Sequence, residues 1–371
     1  MKKIYLTLTC LIFVLSACTS PGPTEVATQA LPTNTDVPPD PTAPVEPLSA
    51  TPEPTPFFQV YSDQPIVPNG VDGTWDDRYT DPGAVVYHDG IFHMFRNGFR
   101  AFPAESQVGY VTSPDGYEWT KQGDDPIFKT SDVPYAKIAM YASSALVEAD
   151  GTWVMYFYTW DSKDFPSASV IGRATAKSPT GPWGADAGPV LVPGAMDEWD
   201  RKQVLAPHVI QTGDGYVMYY SGTNSAGVQM IGMATSRDGI QWTKYNDPST
   251  TAAPFAESDP VFQPGEAGAW DASWVHQPRV FQTPEGWVMF YRGTQNKEGS
   301  IMKLGVATSG DGIHWERSPL NPLLKPSDVP HAQYFWFTNV LHTDDTYYLF
   351  WEVDIGRSTE IYLATHQGAI P

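Results

Sequence analysis

Cysteine is almost absent from this 371-residue chain. The two that occur, Cys10 and Cys18, both lie at the start. The folded remainder therefore has no disulfide, no thiolate chemistry and no cysteine-held zinc. Basic residues are short too: 22 Lys and Arg face 42 Asp and Glu, for a formal net charge of -20. Such a surface repels phosphate backbones, which excludes nucleic acid as a partner. No long stretch has helical periodicity, so strands are the expected building element. Aromatics, by contrast, are plentiful. The 13 Trp and 19 Tyr exceed what a core alone needs.

Lys2 and Lys3 precede an apolar run, Ile4 to Leu15, too short to cross a bilayer as a mature helix. The run ends in Leu15-Ser16-Ala17-Cys18. That resembles the lipobox of bacterial lipoproteins, with a small residue before the cut and a Cys that accepts lipid. Residues 1–17 thus read as a signal peptide and Cys18 as the lipidation site. Residues 18–57 read as a disordered linker, because a stretch this rich in Pro and Thr cannot bury enough surface to fold. The expected location is the cell surface, with the membrane engaged through the lipid anchor only.

From residue 58 the sequence repeats itself. One element is Ser-x-Asp-Gly-x-x-Trp: Ser113-Pro-Asp115-Gly116-Tyr-Glu-Trp119, Ser236-Arg-Asp238-Gly239-Ile-Gln-Trp242 and Ser309-Gly-Asp311-Gly312-Ile-His-Trp315. Ser178-Pro-Thr-Gly181-Pro-Trp183 is a degenerate copy. Each follows a short β-like run such as Ile231-Gly-Met-Ala-Thr. A fifth run, Ile361-Tyr-Leu-Ala-Thr, has no box after it. Upstream of each run lie two apolar segments around a turn, as in Ala84-Val-Val-Tyr-His-Asp89-Gly90-Ile-Phe-His-Met-Phe. Asp-Gly between alternating apolar runs signals a hairpin. The expected fold is all-β: a five-bladed β-propeller over residues 58–371, with four antiparallel strands per blade. The box Ser and Asp are expected to cap a turn, and its Trp to pack between blades.

Thr80-Asp81-Pro82-Gly83-Ala84-Val85 opens the first unit. With the repeat count, it resembles the first-blade segment of the five-bladed glycoside hydrolases of families 43 and 32. That resemblance covers most of the chain as architecture and Asp-Pro as motif. It implies a funnel lined by the first strand of each blade. It also implies a blade-one Asp acting as base or nucleophile, a blade-two Asp, and a blade-three Glu as acid. Two carboxyl groups, one protonated and one ionised, must flank the glycosidic bond. Asp81 carries over; a strand-start cap is its structural alternative. An internal parallel places Ala206 and Gln277, also before Pro, level with Asp81. Blade two instead offers Tyr141-Ala142-Ser143-Ser144, and blade three Ala206-Pro207-His208.

Replacement acids are sought in His208, which can donate a proton near neutral pH, and in Glu352 and Asp161 at second-strand ends. Arg96, Arg279 and Arg292 form a candidate substrate-binding set, suited to a carboxylate such as a uronic or sialic acid. Their alternative role is ion pairing with the many Asp residues. Gln277 joins them by its place. Trp160, Trp274 and Trp336 are candidates for stacking on sugar rings, or for packing between blades. No cofactor is expected, with room only for a structural calcium on the axis near His208 or His276. The expected function is hydrolysis of glycosidic bonds in extracellular oligo- or polysaccharide by a monomer. A non-catalytic carbohydrate-binding surface propeller is the alternative. A sialidase-like enzyme ranks lower, because its box has an extra residue and its fold six blades.

Overall fold

The computed structural model describes residues 56–101, 105–163, 167–296, 301–329 and 332–370. The signal-peptide, Cys18 and most of the linker readings lie outside the described residues. Phe57, assigned above to the linker, stacks on His366 with ring centroids 3.8 Å apart, so it belongs to the folded unit. Among the described residues no helix is long and apolar enough to cross a membrane.

The fold is all-β and propeller-like. The first meander runs Tyr79–His88, Ile91–Phe99, Gln107–Ser113 and Thr120–Lys121. The second comprises Ala139–Val147, Trp153–Trp160, Ile171–Ala176 and Gly184–Ala185. The third comprises Gln203–Thr212, Gly215–Thr223, Gln229–Ser236 and Thr243–Lys244, and the fourth Trp274–Thr283, Gly286–Thr294, Lys303–Ser309 and Glu316–Arg317. The third and fourth share one sheet through a single parallel pair, Gln229 with Trp274. The fifth has Tyr334–Thr343, Thr346–Asp354 and Thr359–Gln367. Its outer strand comes from the other end of the chain, where Gln59–Val60 pairs with Ala364 and Thr365. That explains the fifth run without a box.

Turn chemistry sets the hairpins. Asp89 and Gly90 stand at φ 50° and 78°, the left-handed pair that a two-residue turn needs. Second strands are apolar on both faces because each packs between neighbours. Trp153–Trp160 is buried at every residue. Its Val154, Tyr156 and Tyr158 pack with Val204, Val209, Met218 and Tyr220 of the third meander. Truncating such a side chain to Ala costs about 3–5 kcal/mol.

The Ser-x-Asp-Gly box caps its turn. Asp238 Oδ1 accepts the N–H groups of Ile240 and Gln241 at 2.9 and 2.8 Å. The Gly239 carbonyl in turn accepts the Tyr156 hydroxyl at 2.9 Å, tying the third meander to the second. Trp242 packs edge-on against Tyr156 and Trp315 against Tyr219, also one meander back. Trp75-Asp76, Trp199-Asp200 and Trp270-Asp271 form a second repeated brace. A Cβ at Gly222 would lie 2.3 Å from the Trp199 ring, so glycine is what lets the indole lie against the strand.

First strands touch one another in a closed order, first to second, second to third, and so on, with the fifth back to the first. They are the elements that can build a shared central site.

Candidate active site

Each first strand carries a bulge at the same height. The register breaks between Asp81 and Ala84, Ala142 and Ser144, Leu205 and His208, His276 and Arg279, and Phe335 and Thr338. A bulge re-aims side chains and leaves a residue unpaired. Gly83 fills it in the first meander, where a Cβ would lie 2.4 Å from the Phe95 carbonyl oxygen. Ala206 and Gln277 fill it at φ 50° and 52°, a conformation that strains non-glycine residues. The prolines are therefore not equivalent. Register places Leu205 and His276, rather than Ala206 and Gln277, level with Asp81, because each pairs with the same position of its second strand.

Side chains then bridge every junction of the ring. Asn97 Oδ1 accepts the Ala142 N–H at 2.8 Å, and Ser144 Oγ accepts the Val209 N–H at 3.0 Å. His208 Nδ1 accepts the Val280 N–H at 3.1 Å, and Gln277 Oε1 the Thr338 N–H at 3.3 Å. Asn339 Nδ2 donates to the Gly83 carbonyl at 2.7 Å and closes the circuit.

This corrects the reading of His208 as an acid. His208 is half-buried, and burial among protein groups and then the Arg279 charge lower its pKa to about 3. It is neutral at any ordinary pH, and its Nδ1 is spent on backbone. His276 is likewise driven well below its usual pKa by burial and Arg292. Among the described residues, no three His, Cys, Asp or Glu side chains gather into a metal-binding group.

Second strands contribute one equivalent residue each: Asn97, Tyr158, Ser221, Arg292 and Glu352. Each pairs with an aliphatic residue of its third strand, namely Val108, Ile171, Ile231, Leu304 and Ile361. Arg96 and Arg292 both lie within second strands, and they are not equivalent. Arg96 pairs with Gly109, as Tyr291 does with Gly305. Its two terminal nitrogens are taken by Thr80 and Asp76, and it lies over the Trp75 ring. Arg96 is thus a structural cation, which corrects its assignment to substrate binding. Asp161 does not join the site either, for Lys137 holds it at 2.5 Å.

What does converge is Asp81, Glu352, Arg279 and Arg292, all at most 4% exposed. Asn97 Nδ2 donates to Asp81 Oδ1 at 2.8 Å, while Asp81 Oδ2 has no protein partner. Glu352 Oε2 has none either. Arg292 donates to Gln277 Oε1 and to the Phe335 carbonyl, both at 2.9 Å. Arg279 donates to the Pro278 carbonyl at 2.8 Å.

Burial raises the Asp81 pKa to about 7; the Asn97 hydrogen bond and the arginine charges restrain the rise. Burial, then the neighbouring Asp81 charge, drive Glu352 well above its usual range. The arginines remain cations, lowered by burial only to about 10 and 9. The pair can therefore hold one proton at neutral pH, the state that acid–base cleavage requires.

A cavity of about 490 Å³ meets this cluster. Tyr158, Arg292, Glu352 and Gln277 line it together with Trp160, Trp274 and Trp336. Trp336 is oriented by a 3.2 Å hydrogen bond to Asp354. Asp81 is not on the wall, but it interacts electrostatically with Arg292, Glu352 and Tyr158, which are. Asn97 and Tyr158 were missed in the sequence. Aligning the second strands on Met94-Phe-Arg-Asn97, Met155-Tyr-Phe-Tyr158 and Met289-Phe-Tyr-Arg292 would have found them.

Comparison with known proteins finds similar architecture in glycoside hydrolases. The model of the glycosyl hydrolases family 32 N-terminal domain matches residues 76–258, just under half of the chain. The stretch contains Asp81, and the match supports a glycosidase. No curated protein matches the chain. A Parabacteroides distasonis protein given as a glycoside hydrolase superposes with TM-score 0.63 at 17% identity, over 85% of this chain and 97% of that one. A thermostable family-43 glycoside hydrolase gives 0.58 at 14% identity, over 81% and 93%. A third structure belongs to work on family 130, mannoside phosphorylases that include glycoside hydrolases targeting β-1,2-mannosidic linkages in Candida mannan. It gives 0.61 at 18% identity, over 85% and 96%. At these identities the superpositions establish the fold.

Proposed function

We propose that this chain is a cell-surface glycosidase, a five-bladed propeller in which Glu352 and Asp81 divide the acid and base work. The observation that carries it is the buried carboxyl pair whose members have pKa values raised by burial and, for Glu352, by each other's company. Glu352, on the cavity wall, holds the proton and gives it to the leaving-group oxygen. Asp81 ionises first, with Oδ2 left for base or nucleophile work. Asn97 fixes its other oxygen, so that oxygen does not compete. Aromatic walls exclude water, which strengthens charge interactions during bond cleavage. The five meanders are read as five blades, closed by Gln59–Val60. The Leu15-Ser16-Ala17-Cys18 sequence supports a lipid anchor that holds a monomer outside the cell. No cofactor enters the scheme.

One observation favours a non-catalytic sugar-binding propeller: Asp81 is absent from the cavity wall. Purified protein assayed on a panel of aryl glycosides and plant or microbial oligosaccharides separates the two. Turnover that disappears in Glu352→Gln supports the glycosidase. Glycan binding without turnover on any member assigns the binding role.

A further inference from the structure

We infer that the cavity takes a sugar bearing one negative charge, a uronic acid or its glycoside, with the carboxylate held at Arg292. The inference rests on the glycosidase reading of the same site and adds the substrate class.

Charge decides what this cluster can accept. Arg279, Arg292, Asp81 and Glu352 are all buried, and all stand within electrostatic range of Asp81. A working acid–base pair keeps one proton. Two guanidinium cations then face a single carboxylate within the buried cluster, leaving one positive charge there unbalanced. Asp354, also on the cavity wall and near Glu352, is only half-buried and has its two oxygens taken by the Trp336 indole and the Gly356 N–H. An uncompensated buried charge is costly, and a ligand that supplies its partner recovers that cost. A neutral sugar cannot, whereas a carboxylate can.

Geometry selects Arg292 as the contact. It lines the cavity, whereas Arg279 does not. Its terminal nitrogens are fixed by Gln277 and the Phe335 carbonyl. Its Nε has no protein partner. An arginine with its plane fixed and one donor uncommitted is preorganised for a carboxylate oxygen. Gln277 is itself held by strained backbone and by the Ser221 hydroxyl, which accepts its N–H at 2.8 Å. It thus acts as a positioning residue. Lys163, at the same cavity, adds a second cation on the wall. These local cations act against the chain's net charge of -20, which is screened over a Debye length of about 8–10 Å. A short or terminal uronide is therefore favoured over a long polyanion.

The test pairs uronides with their neutral parents on the wild-type protein: 4-nitrophenyl glucuronides and galacturonides of both anomers against the matching glucosides and galactosides. Free glucuronate and galacturonate are titrated calorimetrically against glucose and galactose in parallel. We expect a preference for the charged member of at least tenfold in kcat/KM or Kd. In Arg292→Gln that preference falls to near unity, and Arg292→Lys retains part of it. Neutral sugars cleaved or bound as well as uronates by wild type overturn the proposal and leave the glycosidase reading standing. Uronate binding without cleavage of any uronide supports the proposal and overturns the glycosidase reading. Cleavage of neutral glycosides that requires added inorganic phosphate assigns the spare charge to a co-substrate and overturns the proposal.

Discussion

Asp76 and Asp81 lie five positions apart, both buried and both near arginine, yet they do opposite things. Burial would raise the Asp76 pKa, but the Arg96 charge and hydrogen bond, Thr74 and Lys121 outweigh it, and the net shift is downward. At Asp81 burial wins, and the pKa rises to about 7. Both Asp76 oxygens are hydrogen-bonded, Oδ1 by the Thr74 hydroxyl and Oδ2 by Arg96. Asp81 and Glu352 each keep an oxygen without a protein partner. A buried carboxylate with both oxygens bonded is architecture, and one with an oxygen left over is available for chemistry.

That contrast can be broken in four ways, taken from the largest expected effect down. Glu352→Gln should lower kcat on any cleaved glycoside about 10²–10⁴-fold, with the circular dichroism spectrum unchanged. Asp76→Asn should do the reverse. It leaves Arg96 buried without its anion, at a cost of about 3–5 kcal/mol, measurable as a lower denaturation midpoint, while kcat per folded molecule holds. Gln277→Ala should raise KM several-fold more than it lowers kcat, since it frees Arg292 rather than removing a reacting group. Trp336→Phe, which loses the Asp354 hydrogen bond and part of the ring that packs against Tyr334, should cost about 1 kcal/mol in stability, read by urea titration.

Much of this was legible in the sequence. Asp-Gly turns, the Ser-x-Asp-Gly-x-x-Trp boxes and the Trp-Asp braces each encode local geometry, so the meanders could be counted. Asp81, Glu352, Arg279 and Arg292 were all singled out. What escaped was phase. Neighbouring strand residues face opposite sides, so Arg96 and Arg292, both near the ends of hairpins, look alike until register separates them by one residue. The bulges likewise shift Pro82 against Pro207 and Pro278 by one. His208 misled because its titration depends on the Val280 N–H and Arg279, partners 72 and 71 positions away. Gln59–Val60 is two residues long and carries no periodic signal.

The most direct measurement of the central claim is Asp81→Asn, followed for activity and for thermal midpoint across pH. Asp81's pKa is raised on folding, so the native state binds its proton more tightly than the unfolded chain does. Its ionisation therefore costs stability, progressively, as pH rises from 3.8, the ordinary value for Asp, to about 7. Removing it should abolish turnover, and it should raise the midpoint relative to wild type above pH 7, with the gap closing toward pH 4. A variant that keeps its activity, or that loses activity together with stability at pH 8, would contradict the account and place Asp81 with Asp76 among the structural pairs.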